Sequence, residues 1–348
     1  MKSFEDFGRT FPIDHEITGL AITLGKLQGK AELYRAQIPQ ALETLKQAAI
    51  IQSTESSNRI EGIATTRERL RSILTDKTTP ANRSEEEILG YRDVLNTIHC
   101  NFDGMTPSAN LTLQLHRDLM KYTAGGGGHW KMTPNAISEE RRDGSKFVRF
   151  LPILPHLVDD GMRTLHDRFA SLYDQGQIDP LFLIAAYILD FLCIHPFSDG
   201  NGRMARLLTT LLLYRAGYDV GRYVSIEKII ETTKPEYYDA LYRSSQGWHE
   251  GAHTLNAWTK YLLGILIAAY REFERRVGTL TTVKGAKSEM VLEAIRGFNR
   301  PFAREEIVER CPGVSVDLVR KILNEEGKAG RVRCLGRGPA SRWERVIE

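Results

Sequence analysis

At 348 residues and 39.4 kDa the chain exceeds what one hydrophobic core usually fills and has room for two or three domains. Its 42% hydrophobic and 26% charged residues suit a folded globular protein and exclude disordered and fibrous classes, and a net charge of +3 confines any nucleic-acid contact to a local patch. Cys100, Cys193, Cys311 and Cys334 form no CxxC pair, and there is neither a signal-peptide core nor an apolar run of about 18 residues, so the expectation is a reducing, cytoplasmic setting with no disulfide framework, zinc site or membrane contact.

Apolar spacing over residues 15 to 60, interrupted near Gln37 and Pro39, predicts two successive helices ending at SSNRIEG, with Gly62 as a helix stop. Ser84 and Glu87 resemble a capping box before Ile88, and residues 110 to 122 repeat the helical period. Four glycines, Gly125 to Gly128, then precede two extended runs, HWKMTPNAI and FVRFLPILP, joined by the charged tip SEERRDGSK, which reads as a β-hairpin. Helical spacing returns from Leu154 to about Tyr270 without a βαβ rhythm, so the core is expected to be all-α. The expected organisation is an N-terminal helical region over 1–105, a core over 106–275, a linker over 276–286 and a small unit over 287–348.

The informative stretch is IHPFSDGNGRMARLL, residues 194 to 208, between two strongly apolar segments. A loop of small residues feeding a helix presents unpaired N–H groups and a positive dipole end, which is an anion site. Gly200 and Gly202 admit a close backbone approach, and Arg203 and Arg206 bring two guanidinium groups to the helix start, an arrangement suited to a polyphosphate. Asp199 offers a hard oxygen ligand fitting Mg²⁺, and His195 is a base that works near neutral pH. Taken singly, each feature is commonly a turn or a core residue; twelve consecutive residues carrying all of them point to chemistry.

HPFSDGNGRMAR resembles the pattern of the Fic family at every defined position. The resemblance implies an all-α Fic fold with a β-hairpin flap. It further implies that ATP is the co-substrate, that His195 deprotonates a hydroxyl on a target protein, that Phe197 anchors the loop and that Asp199 holds Mg²⁺. The backbone of Gly200, Asn201 and Gly202 and the Asn201 side chain would cradle the α- and β-phosphates, with Arg203 beside them and Arg206 on the γ-phosphate. Ser57 to Gly62, SSNRIEG after its first serine, is similar to the family's inhibitory motif, in which Glu61 would compete with the γ-phosphate for Arg206; the alternative is a solvated glutamate before a glycine cap. Residues 130–151 take the place of the flap that docks the target segment, with Lys131 where the family commonly has Arg, and a plain surface hairpin is the alternative. Tyr238 resembles an adenine-pocket aromatic, against the commoner reading of a core tyrosine.

Residues 287 to 348 suggest three short helices and a hairpin, an order resembling a winged helix, with Ser315 capping the third helix and Gly336 to Pro339 supplying a turn. Residues 328 to 345 carry six Lys or Arg and one Glu, yet the third helix mixes both signs, so the unit suits protein contact or homodimerisation as readily as DNA binding. The leading expectation is an autoinhibited protein adenylyltransferase that also modifies itself, with removal of AMP as a reverse activity. The competing one is a DNA-binding transcriptional regulator whose core senses nucleotide.

Overall fold

The computed structural model describes all residues except 13, 36–38, 76–77, 141–145, 282–285, 299, 312–313, 337–340 and 347–348. These residues form two compact units, one from Met1–Leu24 and Gln47–Ala269, the other from Gly25–Lys46 and Tyr270–Glu348.

The chain starts with two helical turns, α1 (Lys2–Glu5) and α2 (Phe7–Thr10), and then enters α3 (His15–Arg35) and α4 (Pro39–Ile60). Pro39 opens α4 at the position where a missing N–H costs nothing. After α5 (Arg67–Leu74) comes α6 (Arg83–Asn101), whose N-cap is Asn82: its side chain accepts from the Glu85 N–H at 3.1 Å. The capping box expected at Ser84 is therefore not used, and Glu87 is released for another role. α7 (Ala109–Leu119) is capped by Ser108.

The core of this unit is α9 (Pro180–Ile194), apolar on nearly every face and buried from Leu181 to Ile194 apart from Phe182 and Leu192. Around it pack α8 (Val158–Gln175), α10 (Asn201–Arg215) and α12 (Lys234–Ser245), while α6 packs on α7 and α10. No break separates residue 105 from 106, because helices on both sides of it share this core. α11 (Ile226–Thr232) and α13 (Asn256–Thr281) complete the helices of this part of the chain.

A two-stranded antiparallel hairpin, β1 (Ile137–Glu140) and β2 (Lys146–Phe150), pairs Ser138 with Val148 and Glu139 with Phe147. Its first strand is later than the sequence suggests: HWKMTPN is not extended ladder, because Lys131 and Asn135 there spend their polar groups on the loop after α9. The tip, residues 141–145 with Asp143 and Gly144, lies outside the described residues.

In the second unit, residues 276–281 continue α13, so the expected linker starts as helix, and 282–285 lie outside the described residues. α14 (Ala286–Arg296), β3 (Phe302–Ala303), α15 (Arg304–Arg310) and α16 (Val316–Lys328) are followed by β4 (Val332–Leu335) and β5 (Arg342–Arg345), in sheet order β3-β5-β4. Ser315 caps α16 by accepting from the Leu318 N–H. Met290, Ile295, Phe298, Phe302, Ile307, Ile322 and Leu323 form its core. No helix among the described residues is long and apolar enough to cross a membrane.

Candidate active site

α9 ends on His195, the one non-glycine residue with positive φ (51°) among the described residues, and α10 begins after Gly200 (φ 81°). The six residues from His195 to Gly200 make a tight loop held from inside. Phe197 is fully buried and stacks on His116 at 3.6 Å. Asn201 binds the same phenylalanine twice, accepting from its N–H at 2.9 Å and donating to its carbonyl at 2.7 Å. The Asn201 side chain thus closes the loop, and its backbone N–H, at the start of α10, remains for a ligand.

His116 holds the loop from α7. Its Nδ1 accepts from the Gly128 N–H at 3.0 Å and its Nε2 donates to the Asp199 carbonyl at 3.1 Å, which defines the neutral tautomer. Burial pushes its pKa down to about 4, consistent with that state.

The His195 imidazole donates from Nδ1 to the Leu192 carbonyl at 3.3 Å, leaving the Nε2 lone pair free. Burial lowers its pKa to about 4, with the Leu192 hydrogen bond and Glu61 acting upward and Lys131 downward, so it is a neutral base at pH 7. It lines a cleft of about 980 Å³ together with Asp199, Gly200, Asn201, Gly202, Arg203, Arg206, Glu61 and Tyr238. The structure thus brings every expected site residue to one cleft except Ser57, which touches it through Arg206.

α10 starts with no side-chain cap, so its first-turn N–H groups are available to an anion. Arg203 is fully buried, with Nη1 2.6 Å from Glu87 Oε2 and Nη2 3.6 Å from Asp199 Oδ1. Arg83 completes this set, reaching Glu87 at 2.7 Å and Asp199 Oδ2 at 2.8 Å. Glu87 and Arg83 were not expected in the site, since the helical pattern of α6 says nothing of what its first turn faces.

Arg206, also buried, donates from Nε to Ser57 Oγ at 2.8 Å and from Nη2 to the Ser57 carbonyl at 2.9 Å and to Glu61 Oε1 at 2.8 Å. Burial pulls on its charge, and the Glu61 carboxylate more than offsets this, so the guanidinium stays ionised. Its Nη1 has no hydrogen-bond partner among the described residues, a buried donor left over for a ligand. Glu61 is placed by the end of α4: Ile63 N–H bonds the Asn58 carbonyl and Gly62 N–H the Arg59 carbonyl, with Gly62 at φ 79°. The glycine cap is thus present, and it aims Glu61 at Arg206 instead of into solvent. Gly202 leaves room beneath it: a Cβ there would meet Glu61 Oε1, and the carboxylate would have to shift.

Tyr237, which is buried, and Tyr238 both line the cleft, and Tyr238 has cations near its ring, Arg149 from β2 and Lys234, each 5.9 Å from the centroid. Asp199 is a single carboxylate, 53% exposed, and no group of three His, Cys, Asp or Glu residues able to hold a metal occurs among the described residues. Such a donor set fits Mg²⁺, which keeps waters and takes substrate phosphates, and not a cation caged by protein ligands.

Residues 106–213 match the sequence profile of the Fic/DOC family, and the chain carries a Fic/DOC-family domain. It is 27% identical over 190 residues to a protein adenylyltransferase Fic of Nematostella vectensis, covering 52% of this chain and 42% of that protein. A protein adenylyltransferase Fic of Aedes aegypti is 30% identical over 215 residues, 60% of this chain and 39% of that one. The chain therefore spans less than half the length of these curated relatives. A Fic family protein of Desulfovibrio desulfuricans G20 superposes with a TM-score of 0.63 at 20% identity, over 97% of this chain and 98% of that one, which establishes the Fic fold.

Proposed function

We propose that the protein transfers AMP from ATP to a hydroxyl side chain of a target protein, and to itself, and that Glu61 holds it in an inhibited state. The observation that carries this reading is the 2.8 Å pair between Glu61 and Arg206, built into the cleft that also holds His195 and the glycine loop. The names of the relatives support ATP as co-substrate.

In this mechanism the acceptor oxygen attacks the α-phosphorus, the α,β-bridging P–O bond breaks, and pyrophosphate leaves. His195 Nε2 takes the hydroxyl proton, for which its neutral state and free lone pair fit it. The first-turn amides of Asn201 and Gly202, with Arg203, bind the α- and β-phosphates; Arg206 binds the γ-phosphate once Glu61 has moved. Asp199 is the residue that would hold Mg²⁺, which when bound neutralises phosphate charge. Tyr238 offers a face to adenine. The hairpin within 130–151 would pin the target by strand addition. Removal of AMP would be a separate hydrolysis: water positioned by Glu61 attacks the phosphorus of the AMP-modified side chain, the ester P–O bond breaks, and the target hydroxyl leaves with a proton.

Helix–strand–helix–helix–strand–strand order in the C-terminal unit supports its reading as a winged helix. Two of the six basic residues of that run are paired with acids, Arg331 with Glu326 at 2.6 Å and Arg333 with Glu344 at 2.8 Å, which weakens the case for phosphate-backbone contact and leaves protein contact as the reading we carry. The test of the function is incubation of wild type and Glu61→Gly with ATP labelled at the α- or the γ-phosphate. Only the α-label should reach protein; γ-label on protein, or a promoter footprint with no transfer, would overturn the reading.

A further inference from the structure

Lys131 is 1% exposed, and no carboxylate lies within ion-pair distance of it among the described residues. Its Nζ donates to Asn135 Oδ1 at 2.8 Å and to the Ile194 carbonyl at 3.1 Å. Its own N–H donates to the Pro196 carbonyl at 2.8 Å, and Asn135 donates onward to the Phe197 carbonyl at 3.1 Å. The loop from His195 to Gly200 is thus gripped from the outer side by one segment as Asn201 grips it from the inner side. An unpaired buried ammonium is costly, and burial pushes its pKa down to about 8. What favours a cation here is the carbonyl end of α9, one residue before His195. A neutral side chain would fill the same space without that cost, so the charge itself has a use.

We propose that Lys131 is a positioning residue for the transfer reaction: its ammonium clamps the C-terminal carbonyl of α9 to Asn135 and holds His195 where its Nε2 meets the acceptor hydroxyl. The inference rests on the proposed transfer, with His195 as base. Burial keeps the imidazole neutral, and the Lys131 ammonium acts in the same direction against the carboxylate of Glu61 from α4, so loss of that charge should raise the ring's titration. Asp199 from the loop, Arg83 and Glu87 from α6, Arg149 from β2, Arg203 and Arg206 from α10 and Lys234 from α12 are the other charged groups lining the cleft with His195.

The test compares Lys131→Met and Lys131→Arg in the full-length Glu61→Gly protein. Lys131→Met should lower kcat about 10- to 100-fold, the cost of a small misplacement of the base, with the KM for ATP within about 2-fold. Between pH 5 and 8 the His195 ring, assigned in NMR spectra by its loss in His195→Ala, should stay neutral in the parent and begin to protonate in Lys131→Met. Lys131→Arg keeps the charge and should recover most of both properties. An unchanged kcat in Lys131→Met, or a ring titration the same as the parent's, overturns the proposal. If Lys131→Met fails to fold, Asn135→Ala decides the clamp, with a fall in kcat required, and Lys131→Arg decides the charge. If the parent itself transfers nothing, the transfer reading fails separately, and an unmoved ring titration still overturns the role of Lys131.

Discussion

Replacing Glu61 by glycine tests the inhibitory contact most directly. The carboxylate sits 2.8 Å from a guanidinium that is 3% exposed, and is itself 31% exposed. At an effective dielectric constant of about 20 such a pair attracts by roughly 4 kcal/mol. Solvent on the Glu61 side and the two Ser57 acceptors that remain for Arg206 reduce the net to about 1–3 kcal/mol. ATP must offset that amount to seat its γ-phosphate on Arg206, and at about 1.4 kcal/mol per decade its removal should raise transfer by roughly 5- to 150-fold. The same loss lowers thermal stability modestly; the Gly62 cap survives because backbone groups make it. The assay is α-labelled ATP incorporation at saturating nucleotide and metal, in wild type, Glu61→Gly and Glu61→Gly with Arg206→Ala. The double variant should fall back, since freeing the site is useless without the guanidinium that orients the triphosphate. Equal labelling by wild type and Glu61→Gly would refute the reasoning, whatever the stability change.

His195→Ala should abolish transfer while calorimetric ATP affinity stays within about 3-fold, because the ring acts on the hydroxyl and not on the phosphates. Asp199→Ala should remove both transfer and the binding of Mn²⁺ measured by electron paramagnetic resonance; bound Mn²⁺ with the carboxylate gone would refute the ligand assignment. His116, His166, His195 and His253 are each held near a pKa of about 4 by burial, so between pH 6.5 and 4 the unfolded chain binds more protons than the folded one. Urea midpoints should therefore fall as pH drops from 6.5 towards 4 and be flat with respect to these groups above 7; a rise on acidification would show the linkage to be wrong. Gly202→Ala should cost about 1–3 kcal/mol in wild type and markedly less in Glu61→Gly, where the colliding carboxylate is gone, as a double-mutant cycle in chemical denaturation would measure.

Part of the helical fold is legible because its signals are local: Gly62 after α4 is read in the sequence, and Asp179 before Pro180 and Ser108 before α7 lie just as close to the helices they cap. The hairpin was harder. Its second strand follows the alternating FVRF run, but HWKMTPN has the composition of a strand and the structure of a clamp, since Lys131 and Asn135 are satisfied by carbonyls more than sixty residues away in sequence. The division of the chain was equally hidden. Residues 25–46 fall in the same unit as the C-terminal segment, and no local composition change announces a contact between distant parts of the chain.

In the site, the residues legible beforehand are those on one short segment, His195 to Arg206, where spacing alone places a base, an anion loop and two cations together. The residues missed, Glu87, Arg83, His116 and Lys131, come from other elements and reach that segment through the fold. Their roles share a physical cause: a six-residue loop between two buried helices has too few internal hydrogen bonds to hold its shape, so its carbonyls at 196, 197 and 199, and that of Ile194 just before it, recruit donors from outside. A sequence signal did exist. Lysine, asparagine and histidine at 131, 135 and 116 lie in or beside a glycine-rich connection, and side chains of that kind near such a loop are candidates to bind its carbonyls. Glu61 is intermediate: its cap is read from Gly62, but that the cap directs the carboxylate to Arg206 depends on α4 and α10 meeting at Ser57. On the proposed reading one glycine-terminated helix end serves stability and inhibition together, so mutations at Gly62 should disturb both, whereas those at Glu61 should separate them.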